Sequence, residues 1–401
     1  MNNKFSINLT ELLSSLSLVL DIGRSRCFEH SRRTAYISYC IGKKLFLDKG
    51  LIEDIYYTAL IHDIGMTGHL SKYTIKDVHH SDKLKREHCE IGAKIITELP
   101  ISKDIQEFIL YHHEQWDGSG VYSLKGEEIP LASQILHVAD YFDLTYNNII
   151  ENNMDKESIR KYFKLSKGAS FNPLLVDCLI DMMEGEKFWF DIDKNNLHQV
   201  INTINPNQRR NLHIDGLIKI AKSFSKLIDS KSKFTSDHSM GICNITEKMA
   251  KYIGYDEIHT KKLVIAALLH DLGKLIVPNE ILEKPSKLSK KEFDIVKSHP
   301  YYTKLILSQI KGLEDIANWA GNHHEKLNGK GYPERLDYKT LTDEDRIIAV
   351  SDIYQALTED RPYRKGLSHN KAVDILKDMA NKGFICGKMV NILDKSLKRL
   401  A

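Results

Sequence analysis

The chain has 401 residues, 42% apolar and 28% charged, which places it among ordinary globular proteins with room for two or three domains. A formal net charge of +3 is too slight for a nucleic-acid footprint or a polybasic membrane anchor, so neither polymeric nucleic acid nor a membrane is expected as a partner. The six cysteines (Cys27, Cys40, Cys89, Cys178, Cys243 and Cys386) form no CxxC pair, which argues against a zinc ribbon or a disulfide framework and reads as free thiols in a reducing cytoplasm.

In chain order, the opening MNNKFSINLTELLSSLSLVLDIGR has a short, serine-broken apolar run closed by Asp21 and Arg24. It lacks a basic leader and a small-residue cleavage site, and no stretch of the chain reaches 18 uninterrupted apolar residues. The spacing predicts an amphipathic helix with Asn8 or Thr10 as N-cap. Apolar residues at i, i+3, i+4 and i+7 then recur in IYYTALIHDIG, DIQEFILYHHE, LVIAALLHDLG, EDIANWAGNHHE and DRIIAVSDIYQALTED. Convincing alternating strand patterns are absent, and FWFDIDKNNLHQV near 188–200 is the one ambiguous stretch. The fold class is all-α. A polar break, NTINPNQRRN at 202–211, divides the chain into 1–205 and 206–401, and the second part restarts with HIDGLIKIAKSFSKLID.

The two parts repeat each other. His30 is answered by His238 and His62-Asp63 by His270-Asp271, both 208 positions on. His88 is answered by His299 and His112-His113 by His323-His324, 211 on, and Asp140 by Asp352, 212 on. A lone histidine on an apolar helix is usually a hydrogen-bonded core residue, and HD or HH dipeptides are common. Seven such positions in one order, twice, point to metals. Neutral imidazoles and carboxylates suit iron, manganese or zinc, and an Asp beside a His can bridge two ions. Tandem histidines at a helix end can both turn inward, as in bundle-core metal sites.

The segments LLHDLGK (268–274), SHP (298–300), NHHEKLNGKGYP (322–333) and SDIYQALTEDRPYR (351–364) are those of a known family. The chain resembles the HD superfamily of metal-dependent phosphohydrolases, and its second half resembles the HD-GYP phosphodiesterases that open cyclic dinucleotides. The resemblance implies two tandem helical bundles. It implies that His238, His270, Asp271 and Asp352 hold one divalent ion, and Asp271, His299, His323 and His324 a second, with iron or manganese the usual choice. A third ion requires a Glu four residues before the first His, where this chain has Phe234 (Arg26 in the first half). The implied activity is hydrolysis of cyclic di-GMP or 3′,3′-cyclic GMP-AMP by a metal-bridged hydroxide, with Asp271 and Lys274 catalytic. Lys274, Tyr332, Arg361 and Arg364 would bind substrate, the arginines through planar guanidinium forks. Lys274, one helical turn past the His-Asp pair, is expected on the same face, offsetting charge that develops on phosphate.

The first half keeps His30, His62, Asp63, His88, His112, His113 and Asp140, a second metal set. It places Met66 at the position of Lys274, Val121 and Tyr122 at those of Tyr332 and Pro333, and Ile149 and Asn152 at those of Arg361 and Arg364. Metal positions survive while the substrate grip is lost, so the first half reads as a divergent domain that is structural, regulatory or turned to another phosphate ester. Two other functions compete: a different HD hydrolase such as a nucleotidase or a (p)ppGpp hydrolase, and a noncatalytic cyclic-dinucleotide-binding scaffold. The GYP loop and DRPYR argue against the first, and Lys274 with a full ligand set against the second. No receiver or PAS segment is evident, so control is expected from the first half, from expression, or from a homodimer or signalling-protein partner.

Overall fold

A computed structural model describes residues 5–23, 29–73, 75–152, 155–204, 211–231, 238–360 and 364–398. Two compact units emerge: Leu12–Arg210, and Met1–Glu11 together with Asn211–Ala401. The first residues of the chain thus group with the C-terminal unit, unlike the expected division at 205/206. The reason is a two-stranded antiparallel ribbon, Ser6–Asn8 with Asn211–His213, in which Ile7 lies opposite Leu212. Strands of three residues are too short to show a period of two, which is why sequence periodicity does not find them.

Everything else of regular structure among the described residues is helical. Asn8 does cap the opening helix: its Oδ1 accepts from Glu11 N at 3.0 Å. The ambiguous stretch resolves into helices Glu186–Ile192 and Leu197–Ile204. The N-terminal unit is framed by helices His30–Lys44, Lys49–Ile61, Asp82–Ile96, Asp104–Leu110 and Leu131–Asn152. In the C-terminal unit the matching order is His238–Ile253, Glu257–Leu269, His299–Leu307, Glu314–Gly321 and Asp343–Thr358. Helix Glu257–Leu269 opens on Asp256, whose carboxylate accepts from His259 N at 2.7 Å. Its last seven residues, Leu263–Leu269, are all buried, the mark of a helix that crosses a core instead of lining it. Five cysteines are described as free thiols, four of them buried, and Cys27 lies outside the described residues. No helix among the described residues is long and apolar enough to cross a membrane.

In both units the His-Asp pair stands where the helix, Lys49–Ile61 or Glu257–Leu269, gives way to a 3-10 turn, His62–Gly65 in one and Leu272–Ile276 in the other. The glycine in each turn explains the tight geometry. A Cβ on Gly273 would lie 2.0 Å from His299 O, and one on Gly65 would lie 2.0 Å from His88 O. Only a residue without a side chain lets the turn pass against the helix that carries the third histidine. Thr303 Oγ1 fastens the crossing in the C-terminal unit, accepting from Gly273 N at 2.9 Å and donating to His270 O at 3.0 Å. Gly273→Ala is therefore expected to destabilise the chain by about 1–3 kcal/mol, the usual cost of overpacking, read as a lower urea midpoint at constant slope.

Candidate metal centres

In the C-terminal unit the seven predicted metal positions converge on one buried cluster. His299 Nε2 lies 3.2 Å from Asp271 Oδ1, His323 Nε2 lies 3.9 Å from the same oxygen, and His270 Nε2 lies 3.2 Å from Asp271 Oδ2. His238 Nε2 lies 3.3 Å from Asp352 Oδ1. Two ligand groups can be drawn, His238/His270/Asp352 and His299/His323/His324, each with its donor atoms within 4.8 Å of one another. Asp271 sits between them and touches both.

The donor set fits cations on its own chemistry. His270, His299 and His323 direct Nδ1 to the backbone carbonyls of Ala267, Val296 and Ala320, at 2.8, 2.7 and 2.6 Å. A neutral imidazole has one N–H, and donating it to a carbonyl leaves Nε2 as a bare lone pair. The Nε2 atoms of His299 and His323 nevertheless face each other at 3.2 Å. Two lone pairs repel at that distance, and a cation held by both removes the repulsion. Asp271 Oδ1 and His270 Nε2 are buried with no hydrogen bond, an arrangement that is costly unless a ligand satisfies them. Burial, followed by the neighbouring imidazoles, holds His323 well below the ordinary histidine value and His324 at about 3, so both are neutral donors. His238 goes the other way, to about 10: burial opposes its charge, but Asp352 and Glu359 outweigh it.

The tandem histidines lie just past the end of helix Glu314–Gly321, where the chain turns and both rings can face inward. Beyond them the GYP loop is wound around one carboxylate that sequence reasoning missed. Glu325 accepts from the backbone N–H groups of Glu334, Arg335 and Leu336, at 2.6, 3.0 and 3.0 Å. This sets Tyr332 against the site, its ring 4.9 Å from that of His324. Glu114 has the same task in the N-terminal unit, accepting from Tyr122 N and Leu124 N at 2.7 Å each. Its recurrence directly after both HH pairs was the available signal.

Lys274 stands on the 3-10 turn, not on a continued α-helix as expected, and still reaches the cluster: Nζ lies 2.5 Å from Asp271 Oδ2. Burial works against its charge, but Asp271 keeps the ammonium above the usual lysine value. Arg364 is exposed and donates from Nη2 to Ala356 O at 2.8 Å, with no bond to the cluster. Arg361, Phe234 and Arg26 lie outside the described residues, as do the side chains of Ile149 and Asn152.

The N-terminal unit assembles a parallel cluster. His30 Nε2 is 3.4 Å from Asp140 Oδ1 and 3.4 Å from His62 Nε2, and His88 Nε2 is 3.5 Å from Asp63 Oδ1. His112 directs Nδ1 to Ile109 O at 2.6 Å and meets His88 Nε2 to Nε2 at 3.2 Å. The supporting carboxylates differ between the copies. His30 Nδ1 lies 2.6 Å from Asp143 Oδ2, and Arg33 binds the other oxygen at 2.5 Å. His238 Nδ1 uses Glu359 instead, at 3.1 Å, and the positions matching Arg33 and Asp143 are Gly241 and Gln355.

The HD domain family matches residues 15–161 and again 222–385. The chain belongs to the HD domain family. Two relatives from Vibrio cholerae serotype O1 align with nearly the whole length of the chain. One is 3′3′-cGAMP-specific phosphodiesterase 1, 27% identical over 98% of this chain and 93% of its own. The other is 3′3′-cGAMP-specific phosphodiesterase 3, 29% identical over 92% and 90%. A cyclic di-GMP phosphodiesterase of Pseudomonas aeruginosa matches 36% of the chain at 34% identity. The crystal structure of a cyclic GMP-AMP specific phosphodiesterase of V. cholerae superimposes with a TM-score of 0.72 at 27% identity, covering 99% of both chains.

Proposed function

We propose that this HD protein is a metal-dependent phosphodiesterase that hydrolyses a cyclic dinucleotide, 3′,3′-cyclic GMP-AMP before cyclic di-GMP, at the C-terminal centre, in a reducing cytoplasm. The observation that carries the reading is Lys274: a charged ammonium at the edge of a complete ligand cluster, where the N-terminal copy has a methionine. The choice of nucleotide is supported by the relatives that match over full length, both named for 3′3′-cGAMP.

His238, His270, Asp271 and Asp352 would hold one ion, and Asp271, His299, His323 and His324 the other, with iron or manganese fitting this nitrogen and oxygen set. Once bound, the pair supplies an activated water and charge neutralisation at phosphorus. The chain's own residues do the rest. Tyr332, fixed by the Glu325-organised loop, gives the nucleotide an aromatic wall beside His324. Lys274 can swing from Asp271 to a phosphate oxygen as negative charge grows there, acting where electrostatic stabilisation counts most. Arg361 and Arg364 extend the phosphate contact. The N-terminal unit keeps metal without this grip and supports the fold or its regulation.

The test is anaerobic purification with metal analysis, followed by chromatographic identification of products from 3′,3′-cyclic GMP-AMP and cyclic di-GMP. A metal-loaded chain that leaves both intact would overturn the reading. Stripping the metals with a chelator is expected to abolish turnover and lower the melting temperature, with turnover restored by Mn2+ or by Fe2+ under anaerobic conditions.

A further inference from the structure

The N-terminal cluster contains a histidine with no counterpart in the other copy. The segment between the His-Asp pair and the third histidine carries His69, His79 and His80 in the N-terminal unit, whereas residues 272–298 of the C-terminal unit contain no histidine. His79 closes the short helix Ile75–His79 and points into the cluster. Its Nε2 lies 3.6 Å from Asp140 Oδ2, and its ring meets that of His113 edge-on at 5.0 Å. Donor atoms of His79, His113 and Asp140 all lie within 4.8 Å of one another. Its Nδ1 is buried without a hydrogen bond.

Met66 explains how His79 comes to be there. It is 3% exposed and forms an apolar cluster with Leu70 and Val78, on which Tyr73, Leu84 and Ile91 pack. Val78 is the neighbour of His79 in the chain. A lysine at position 66 would break this seat. The replacement therefore does more than delete a phosphate contact: it fastens the segment that delivers an extra ligand. The two copies accordingly differ in what borders the fifth histidine of each set. His324 is bordered by Tyr332, beside a partly exposed Lys274, whereas His113 is bordered by His79.

We propose that His79 is a ligand of the N-terminal metal centre, seated by Met66, so that this centre is closed by its own chain where the C-terminal centre stays open to substrate. Structural metal sites fill their coordination with protein atoms, whereas catalytic ones keep a position free. The inference rests on the reading that the N-terminal cluster holds metal.

The experiment uses the full-length chain loaded with Co2+ and challenged with a chromophoric chelator. Two release phases are expected, a fast one removed by His270→Ala/Asp271→Ala and a slow one removed by His62→Ala/Asp63→Ala. His79→Gln should accelerate the slow phase at least about tenfold, since loss of an outer-shell partner alone typically costs about 10–100-fold in affinity. It should leave the fast phase alone and change the visible absorption of the slowly released Co2+. His79→Glu, which restores an oxygen donor of similar reach, should recover much of the slow release and guards against a misfolded Gln variant. Slow release and an unchanged spectrum in His79→Gln would overturn the ligand assignment. If His62→Ala/Asp63→Ala removed no metal at all, the underlying reading would fail with it, independently of any turnover by the C-terminal unit.

Discussion

Replacing His270 and Asp271 with alanine is expected to lower turnover of 3′,3′-cyclic GMP-AMP by more than about a thousandfold, whereas the same exchange at His62 and Asp63 leaves it within about tenfold of the parent. Outer-shell partners of metal ligands are typically worth about 10–100-fold by themselves. Asp271 is proposed to serve both ions, and its oxygens lie within 3.9 Å of His270, His299 and His323, so its loss strikes every part of the centre at once. The N-terminal pair occupies a similarly buried position, but that copy has Met66 and Val121 at the positions of Lys274 and Tyr332. Far-UV circular dichroism and metal content of both variants keep the comparison fair: the His62/Asp63 variant must retain the C-terminal metal. A folded His62/Asp63 variant that kept that metal and lost turnover would move the chemistry to the N-terminal unit.

Much of this was legible in the sequence because the chain is its own alignment. Seven positions at offsets of 208 to 212 pick out the histidines and aspartates that cluster in each unit, and the helical period gives the scaffold that brings them together. What escaped has physical reasons. The ribbon joining Ser6–Asn8 to Asn211–His213 pairs segments about 200 residues apart, each too short for a periodic signal. Comparing the copies hides whatever they do differently. Asp143 and Glu359 both hold the first histidine of their unit, but from non-equivalent positions, because Asp143 is matched by Gln355. His79 has no match at all. The placement of Lys274 was expected from continued α-helical geometry, yet the chain tightens into a 3-10 turn so that Gly273 can clear His299 O. Pattern reading extrapolates a regular element; a close backbone crossing is what interrupts it.

Lys274→Met is the sharpest test of the division between the copies, because the N-terminal unit has already made the exchange at Met66. The variant is expected to lose about 10²–10³ in kcat, the usual cost of removing one electrostatic stabiliser of a transition state, about 2.7–4 kcal/mol. Metal content should be unchanged, since no proposed ligand is touched. The resting contact of Nζ with Asp271 Oδ2 at 2.5 Å shows that the ammonium reaches the centre, and a side chain 27% exposed leaves it room to turn toward a bound phosphate. A loss confined to KM would mean that the lysine binds ground and transition states equally, and an unchanged kcat in a metal-replete variant would remove it from the chemistry. The reverse exchange, Met66→Lys, is expected to confer no activity. It places an ammonium among Leu70 and Val78, where burial of an unpaired charge is expensive, and it leaves Val121 at the position of Tyr332. One exchange is expected to abolish the proposed phosphate contact in the C-terminal copy, but the N-terminal copy packs Met66 into an apolar cluster and is not expected to be returned by a single step.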